Sequence, residues 1–430
     1  MTVEAAGTRE IRPIPGPIHA VVTLPGSKSL TNRALVIAAL ADGTSVLRGS
    51  LDSEDTRHMV AALERLGFAI EWERRAGTIR VVGRGGTIPC AGARLFGGNA
   101  GTTVRFLTSL VALGRGRFTI DGDARMRERP IQDLLDALAA LGVVARSERE
   151  TGCPPVVVDA AGIAGGRAAV AGETSSQFAS SILLVAPYAA SDVHVTILGT
   201  LVGAPFVEMT LALMRRSGVE SLREGNEIHV AAGQRYRSGE TAIEPDATAA
   251  SYFLAAAALL GGEVQVRGLD EHSLQGDIGF ARVLGQMGAE VRAEPGGLIA
   301  RGAKLCGVDL DFRAISDTFL TAAALAPFAS SPTRIRGIGH TRRQETDRVS
   351  AVARELSRLG VNVRESVDTL EIEPSSPHGG DVETYGDHRM AMSFALIGLR
   401  VPGIRIRDPR CVEKTFPDFF ERLEALRGSE

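Results

Sequence analysis

The stretch SKSLTNRALVIAAL, residues 27–40, begins with small and polar residues and continues as an almost unbroken apolar run. A helix that is apolar on most sides has to be buried, so this stretch predicts a core helix whose N-terminal end alone reaches solvent. The pattern recurs five times along the 430 residues. The further copies are GNAGTTVRFLTSLVAL (98–113), TSSQFASSILLVA (174–186), DATAASYFLAAAAL (246–259), ISDTFLTAAALA (315–326) and GDHRMAMSFALIGL (386–399).

A strand-like segment ending in Gly or Asp follows each predicted core helix, and these ends are spaced roughly 70 residues apart. The segments are SVLRG (45–49), FTIDG (118–122), VTILG (195–199), VQVRG (264–268), RIRG (334–337) and IRIRD (404–408). After each of the first five comes a second helical pattern that stops at Gly, which suits the left-handed position closing a helix. The chain is therefore predicted to contain six repeated α/β units.

Six units in a chain too long for one ordinary core predict two domains of three units each. The polar stretch GQRYRSGETAIEPD (233–246) marks the cut near the middle, and Pro25 and Gly26 mark the other crossing. We expect residues 25–244 to form one domain. Residues 1–24 and 245–430 should form a second, discontinuous domain.

The overall composition argues against several classes of partner. A net charge of −3 and a pI near 6.3 leave no basic surplus for nucleic acid or an anionic membrane. Four widely spaced cysteines fit a reducing compartment without a structural disulfide. The N-terminus has acids and prolines where a signal peptide needs an apolar core, and no run of about 18 apolar residues occurs. These features predict a cytoplasmic protein.

The segment PGSKS, residues 25–29, looks like a phosphate-binding loop but fails its pattern, because Ser27 and Val22 occupy the two glycine positions of GxxxxGK[ST]. No GxGxxG follows any of the six predicted strands, so dinucleotide binding has little support. HExxH and GxSxG are also missing. The sequence thus argues against a nucleotide triphosphatase and predicts no catalytic metal.

The polar starts of the core helices suggest anion binding, because a helix N-terminus presents unpaired N–H groups and partial positive charge. A lysine in the first turn opposes this dipole, so Lys28 favours a functional explanation. The simpler explanation for a single helix is that its Ser, Thr, Asp and Gly residues are only caps. Four of the six starts carry Lys, Arg, Gln or Asn within two turns, which favours function.

Further candidates occur in the first half at Arg129, which Pro130 should leave at the mouth of a helix, and in GETSSQF (172–178), which combines hydroxyls with an amide. In the second half, Asp317 occupies an apparent N-cap position, for which capping is the default explanation. Glu345 lies in HTRRQETDR (340–348), whose default explanation is a solvated face.

Cations also precede two later predicted helices. His388 and Arg389 begin the one in GDHR, and Lys414 comes shortly before Pro417. Cations at helix starts are individually unfavourable, so their repetition predicts a polyanionic ligand that touches both halves of the chain.

Nearly the whole chain, from PGSKSLTNRA through GNAGTTVRF, RMRERP, SSQF, PDATAASYF, SLQGDI, ETDR and DHRMAM to KTFPDFF, resembles the 3-phosphoshikimate 1-carboxyvinyltransferases (5-enolpyruvylshikimate-3-phosphate synthases). The resemblance implies an α/β fold of two similar domains, each with three βαβαββ-like units. The parallel helices would be buried inside and the sheets outside, as an inside-out α/β barrel with the active site in the interdomain cleft.

The resemblance also implies a reaction. The carboxyvinyl (enolpyruvyl) group of phosphoenolpyruvate would pass to the 5-hydroxyl of shikimate 3-phosphate through a tetrahedral intermediate, with release of phosphate. This is a step of the shikimate pathway to chorismate and the aromatic amino acids, and a target of glyphosate. No metal and no organic cofactor would be needed. Partners would be the two small-molecule substrates alone, with a monomeric protein and no nucleic acid or membrane.

Roles carried over from the family fall on matching residues. Shikimate 3-phosphate would contact Lys28, Ser29, Arg33, Ser175, Ser176, Gln177, Asp317 and Gln344. Phosphoenolpyruvate would contact Lys28, Asn99, Gly101, Arg129, Gln177, Arg348, Arg389 and Lys414. The catalytic residues would be Asp317, Glu345, Lys28 and His388. Glu345 would protonate the methylene carbon, which requires a partly protonated carboxyl, and Asp317 would accept the hydroxyl proton.

Several positions depart from the common family pattern. Gly203 and Phe206 stand where Ser and Tyr are frequent, His340 and Gln344 where Asn and Lys are frequent, and Phe106 where Pro is frequent. These departures leave open the affinity for the substrates and the sensitivity to glyphosate, although Gly101 matches the pattern usual in glyphosate-sensitive members.

Two alternatives share the implied scaffold. Carboxyvinyl transfer to UDP-N-acetylglucosamine typically uses Lys-Asn where this chain has Lys28-Ser29, and a reactive Cys or Asp in a long loop near residue 120, where this chain reads DGDARMRERP. A non-catalytic protein that binds anionic metabolites is the second alternative. The joint presence of Lys28, Asp317, Glu345 and Lys414 argues against it.

Overall fold

The computed structural model describes residues 7–428. Its contacts divide the chain into two units: a continuous unit, Gly26–Ile243, and a discontinuous unit made of the residues up to Pro25 together with those from Glu244 onward. Among the described residues, every helix is too short or too polar to span a membrane.

Twelve α-helices lie within the described residues. They are α1 (Lys28–Leu40), α2 (Glu54–Arg65), α3 (Gly101–Ala112), α4 (Gln132–Ala140), α5 (Ser176–Val185), α6 (Ala204–Arg216), α7 (Ala247–Leu260), α8 (Phe280–Gln286), α9 (Phe319–Leu325), α10 (Arg348–Arg358), α11 (His388–Gly398) and α12 (Phe419–Glu424).

The same residues contain 23 β-strands. They are β1 (Thr8–Ile11), β2 (Ile18–Val22), β3 (Asp42–Arg48), β4 (Ala69–Glu73), β5 (Thr78–Arg84), β6 (Gly92–Phe96), β7 (Arg115–Asp121), β8 (Val144–Ser147), β9 (Val156–Ala161), β10 (Gly166–Ala171), β11 (Val193–Leu198), β12 (Leu222–Glu224), β13 (Glu227–Val230), β14 (Glu240–Ala242), β15 (Gly262–Arg267), β16 (Glu290–Glu294), β17 (Gly297–Arg301), β18 (Asp309–Asp311), β19 (Thr333–Arg336), β20 (Val363–Glu365), β21 (Thr369–Ile372), β22 (Gly380–Val382) and β23 (Ile404–Arg407).

The strands form six sheets, three in each unit, and five of them share one plan. The sheets of the continuous unit have the orders β14-β3-β5-β4, β6-β7-β9-β8 and β10-β11-β13-β12. Those of the discontinuous unit have the orders β2-β15-β17-β16, β18-β19-β21-β20 and β22-β23-β1. In the first five, the predicted strand pairs in parallel with one neighbour and in antiparallel fashion with a hairpin that follows it. The last sheet uses β1 from the N-terminal segment in place of that hairpin.

The alternation of side chains in these strands places one face of each sheet on the core. In β11, Val193, Val195 and Ile197 are buried, and the residues between them are more exposed. The same strand pairs with β10 in parallel and with β13 in antiparallel register. The predicted repeated α/β unit is confirmed.

The helices divide into the two predicted kinds. The core helices α1, α3, α5, α7, α9 and α11 are buried along nearly their whole length, and in α7 every residue from Ala247 to Leu259 is buried. The second helices bury one face only, as in α2, and then stop at a glycine. These glycines all adopt positive φ, as predicted for helix ends: Gly67 (92°), Gly142 (84°), Gly218 (88°), Gly288 (105°) and Gly360 (84°).

Candidate active site

In the continuous unit, the first cluster forms around the start of α1. Ser27 caps this helix through its side chain, and Lys28 is its first residue. The Lys28 ammonium lies 3.2 Å from a carboxylate oxygen of Asp55, whose side chain is 3% exposed. This ion pair offsets the unfavourable placement of a cation at a helix N-terminus. Asp55 escaped the sequence analysis because its partner lies on another helix.

Arg33 lies one turn further along α1, and its side chain is fully buried. Nε donates to Thr210 Oγ1 at 2.7 Å, Nη1 to the Ser29 carbonyl at 3.1 Å and Nη2 to the Phe206 carbonyl at 3.2 Å. Burial lowers the pKa of Arg33 to about 9. Its guanidinium also lies 5.2 Å from the ring of Phe106. Arg33 therefore supports Ser29 from inside the protein.

The second cluster of the continuous unit lies at the start of α3. Arg129 Nη1 donates to both the carbonyl and the side-chain oxygen of Asn99, each at 3.0 Å. A Cβ on Gly101 would lie 2.8 Å from Arg129 Nη2 and 3.1 Å from Gln177 Oε1, so any larger residue here has to displace the ends of these side chains. The prediction that Pro130 begins the next helix is wrong: α4 begins at Gln132, and Arg129 is buried.

Arg105 is a residue of this cluster that the sequence analysis missed. It lies one turn into α3 and donates from Nη1 to Gln177 Oε1 at 2.7 Å, with Ser175 Oγ at 3.4 Å. Nη2 donates to the Pro130 carbonyl at 3.3 Å, and the guanidinium lies 5.0 Å from the Phe178 ring. The only signal in the sequence was an arginine one turn after Gly101, in a helix with no other charged residue.

The third cluster of this unit surrounds the start of α5. Ser175 is the N-cap, and its hydroxyl accepts a hydrogen bond from the Gln177 amide at 3.2 Å. Ser176 is buried at the first helical position. Gly203 has a φ of 60° and caps α6, and a Cβ there would lie 3.1 Å from Ser176 Oγ. The start of α5 thus collects hydroxyls, an amide and backbone donors, a combination suited to phosphate oxygens.

Arg348 is the centre of the cluster in the discontinuous unit. It is the first residue of α10, and its side chain is 2% exposed. Its guanidinium donates to Asp317 Oδ1 at 2.9 Å, Glu345 Oε2 at 3.0 Å and Asp387 Oδ2 at 2.7 Å, and forms a short hydrogen bond with Gln344 Oε1. Burial lowers the pKa of Arg348, but the three carboxylates outweigh it and raise this pKa above its usual value.

Asp317 accepts a second guanidinium. Arg389 Nη2 donates to Asp317 Oδ2 at 2.7 Å, so the carboxylate lies between two buried arginines. Asp317 belongs to the 3₁₀-helix Ser316–Thr318 and makes no side-chain cap, so the N-cap explanation is wrong. Asp387 is the residue that caps a helix here, through its bond to the Arg389 amide at 2.9 Å.

Glu345 lies between two cations as well. Lys414 Nζ is 3.2 Å from Glu345 Oε1, and both side chains are more than 90% buried. The expectation of a solvated face at this segment is therefore wrong for Glu345. Lys414 ends the 3₁₀-helix Pro409–Lys414, and α12 begins five residues later, at Phe419.

Two histidines of this unit, His388 and His340, differ in their surroundings. His388 is 1% exposed, with Nδ1 3.5 Å from Asp387 Oδ1. His340 Nε2 lies 2.9 Å from Ser316 Oγ, beside Asp317 in the chain. Burial lowers the pKa of His340 below its usual value, which favours the neutral imidazole.

Asp277 is a buried acid that the sequence analysis did not assign. Thr248 of α7 donates to it through a short hydrogen bond, and its other carboxyl oxygen is buried with no hydrogen-bond partner. Burial, followed by the negative charge of Asp317, raises the pKa of Asp277 to about 7. A carboxyl half protonated at neutral pH therefore lies in the electrostatic field of Asp317.

Within residues 7–428, no group of three or more His, Cys, Asp or Glu side chains is arranged to bind a metal ion. All four cysteines are free thiols. The chemistry of the clusters is that of cations, hydroxyls and two carboxylates flanked by cations. Such sites bind small polyanions and transfer protons.

Six repeated α/β units, five with one sheet plan and one with a variant of it, make up a fold that solved carboxyvinyl (enolpyruvyl) transferases share. The enolpyruvyl transferase NikO from Streptomyces tendae shares this fold, with a TM-score of 0.75, 19% identity and coverage of 98% of this chain and 97% of that one. The family model for EPSP synthase (3-phosphoshikimate 1-carboxyvinyltransferase) matches residues 13–423, and the chain belongs to this family.

Two relatives agree with the family assignment. The 3-phosphoshikimate 1-carboxyvinyltransferase of Nostoc punctiforme is 48% identical over 418 residues, which are 97% of this chain and 98% of that protein. The structure of EPSP synthase from Acinetobacter baumannii has a TM-score of 0.82 and 26% identity, and covers 98% of both chains. The predicted family, the inside-out α/β fold and the prediction that the chain is an enzyme of this class are confirmed.

Proposed function

We propose that this chain transfers the carboxyvinyl group of phosphoenolpyruvate to the 5-hydroxyl of shikimate 3-phosphate and releases phosphate. Membership of the family over residues 13–423 supports the reaction. The observation that carries the proposal is the Arg348 cluster, in which Asp317 and Glu345 are each flanked by two cations. Such an arrangement combines binding of anions with carriers for protons.

The proposed phosphoenolpyruvate ligands in the discontinuous unit are Arg348, Arg389 and Lys414. All three are held by carboxylates of the protein, so their side chains are ordered before substrate arrives. In the continuous unit we assign Lys28, Asn99, Gly101, Arg129 and Gln177 to the same substrate. The phosphate and carboxylate of phosphoenolpyruvate would share or replace the internal acceptors of these cations, which gives selectivity for a small dianion or trianion.

Shikimate 3-phosphate is assigned to the start of α5 and to the start of α1. Ser175, Ser176 and Gln177 would take the phosphate and the ring face, since a helix N-terminus favours phosphate. Lys28 and Ser29 would bind the ring and its carboxylate, with Arg33 holding Ser29 in place through its carbonyl. We also assign Asp317 and Gln344 to this substrate, because Asp317 has to reach the reacting hydroxyl.

The proposed chemistry is addition followed by elimination. Asp317 accepts the proton of the 5-hydroxyl while that oxygen forms a bond to C2 of phosphoenolpyruvate, and Glu345 gives a proton to C3. In the elimination step, Glu345 takes a proton back from C3, the phosphate leaves with the electrons of its C–O bond, and Asp317 gives its proton to the departing phosphate. In the ligand-free protein, Glu345 is paired with both Arg348 and Lys414, and we expect substrate anions to compete with Glu345 for these cations when they bind.

Lys28 would assist by stabilising negative charge that develops on the reacting oxygens. His388 is 1% exposed and lies against Asp387, so we assign it an indirect role through Asp387, which binds Arg348 and caps α11. The resemblance implies a direct catalytic role for His388. We propose instead that His388 helps to hold Asp387 in place. Each general acid or base should contribute about 10²–10⁴-fold to the rate.

The proposal includes the setting of the reaction. The proposed ligands of the two substrates come from both units, and small-angle scattering would test this, because binding that engages both units should compact the protein. The protein would be a cytoplasmic monomer, independent of nucleic acid and membranes. Glyphosate would compete with phosphoenolpyruvate, since Gly101 permits the close approach of Arg129.

The decisive experiment measures phosphate release from purified protein. We expect release when shikimate 3-phosphate and phosphoenolpyruvate are both present, and none when either is omitted. UDP-N-acetylglucosamine in place of shikimate 3-phosphate should give no release. Absence of release with the correct pair, or equal release with the nucleotide sugar, would overturn the proposal.

A further inference from the structure

Helix α10 contacts the segment 383–387, which leads into α11, at two separate places. At its start, Arg348 binds Asp387. Glu355 is seven residues further along, so it lies two turns away on the same face of α10. Glu355 binds the earlier part of the same segment, so the segment is held at both of its ends by one helix.

The second contact is a buried carboxylate. The side chain of Glu355 is 0% exposed and accepts hydrogen bonds from the Glu383 amide at 3.0 Å, the Tyr385 hydroxyl at 2.7 Å and Arg358 Nη1 at 3.2 Å. Burying a charge is costly unless it is paired and hydrogen-bonded, and these three donors meet that cost. Two of the three donors belong to the segment 383–387.

Tyr385 has a left-handed backbone, with φ of 54°, which is rare for a residue with a bulky side chain. Such a conformation persists only where surrounding contacts enforce it. Here the hydroxyl is bound to Glu355, and Arg354 places its guanidinium 5.6 Å from the ring with Nη1 3.3 Å from the hydroxyl. Burial and the bond to Glu355 raise the pKa of Tyr385, so the hydroxyl stays a donor at neutral pH.

We propose that Glu355 is a positioning residue for phosphoenolpyruvate: through Tyr385 and the Glu383 amide it fixes the segment 383–387, so that Asp387 meets Arg348 and α11 begins with Arg389 beside Asp317. The chain of contacts is continuous, because Asp387 binds Arg348 and caps Arg389, and both arginines bind Asp317. The inference rests on the proposed function, which assigns both arginines to phosphoenolpyruvate.

A purely structural role explains the contacts less well. The face of α10 that packs on the core already buries Val349, Val352 and Leu356 without help from a charge. An apolar residue in place of a buried ion pair is often neutral for stability. An apolar residue at position 355 could not accept the hydrogen bonds of the Glu383 amide and the Tyr385 hydroxyl. These two donors lie in the segment that leads to Arg389.

The test uses two conservative variants, Tyr385→Phe and Glu355→Gln, with Glu371→Gln as the matched control. Glu371 is a partly exposed glutamate of β21 that pairs with Arg334 and Arg364 in the same unit. In both test variants the KM for phosphoenolpyruvate should rise about fivefold to tenfold, with kcat and the KM for shikimate 3-phosphate changed less than about twofold. The KM for phosphoenolpyruvate of the double variant should be little higher than that of the more affected single variant. Both substitutions act on the same contact, the hydrogen bond from Tyr385 to Glu355.

A readout that needs no turnover separates this inference from the reaction itself. Amide hydrogen exchange at residues 384–390 should accelerate in both test variants and stay unchanged in the control. If exchange is faster in the variants but the wild-type protein is inactive with the two substrates, Glu355 does hold the segment 383–387 and the proposed function is wrong. Unchanged exchange, or faster exchange with an unchanged KM for phosphoenolpyruvate in an active enzyme, would overturn the positioning role. Tyr385→Phe removes a single hydroxyl, so the test survives if Glu355→Gln fails to fold.

Discussion

The two units hold their cations in different ways. In the active-site clusters of the continuous unit, Arg33, Arg105 and Arg129 donate to carbonyls, hydroxyls and amide oxygens, whereas Lys28 pairs with Asp55. In the discontinuous unit, Arg348, Arg389 and Lys414 are all held by carboxylates. A cation bound to neutral acceptors keeps its positive charge uncompensated, so its cluster attracts an anion. A carboxylate compensates the charge and can also carry a proton. The comparison assigns mainly binding to the first unit and proton transfer to the second.

Removing the carboxylates should have the largest effect. Glu345→Gln and Asp317→Ala are each expected to lower kcat by about 10²–10⁴-fold, because each removes one proton carrier. Affinity for shikimate 3-phosphate, measured by calorimetry, should fall far less. A rate close to that of the wild type in either variant would remove the distinction between the two units.

Gly101→Ala tests the binding side of the comparison. The added Cβ would lie 2.8 Å from Arg129 Nη2, so the guanidinium has to move, and we expect the KM for phosphoenolpyruvate to rise about tenfold. Gly285→Ala in α8 is the control, since a Cβ there meets nothing within 4 Å. Steady-state kinetics measure both. Equal constants for the two variants would show that Arg129 does not bind this substrate.

Arg105→Met should have a smaller effect, because it removes hydrogen bonds to two neutral acceptors, Gln177 Oε1 and the Pro130 carbonyl. The loss of hydrogen bonds to neutral acceptors predicts a rise of about threefold to tenfold in the KM values. Initial-rate kinetics with each substrate varied in turn measure it. A loss as large as that of Glu345→Gln would contradict the assignment of binding alone to this cluster.

Asp277→Asn should change how the free energy of unfolding depends on pH, and should leave the free energy of unfolding at low pH nearly unchanged. The pKa of Asp277 is raised from 3.8 to about 7 in the folded protein, so the folded state retains a proton that the unfolded state has lost. This contribution is complete below pH 3.8 and disappears as the pH rises towards 7. The variant should therefore gain on the order of a few °C in Tm at pH 8 relative to pH 5, compared with the wild type. Parallel Tm profiles would contradict a protonated Asp277.

Much of the fold was predictable because periodicity and local chemistry decide it. Six apolar helices, six strands and five glycine helix ends are readable from spacing alone. The clusters were predictable only in part, since the meaning of a polar residue depends on partners far away in sequence. Asp317 looked like a cap, yet it binds Arg348 and Arg389, which lie 31 and 72 residues further along the chain. Asp55 and Asp277 gave no local signal, because the partner of each lies on another helix.

Turnover in D₂O tests most directly whether Glu345 moves a proton to and from C3. We expect deuterium to enter the methylene group of the enolpyruvyl product, because C3 gains a solvent-derived proton and then loses one. The Glu345→Gln variant should lose this incorporation while it still binds shikimate 3-phosphate. Product formed by the wild type in D₂O without deuterium at C3 would contradict the account.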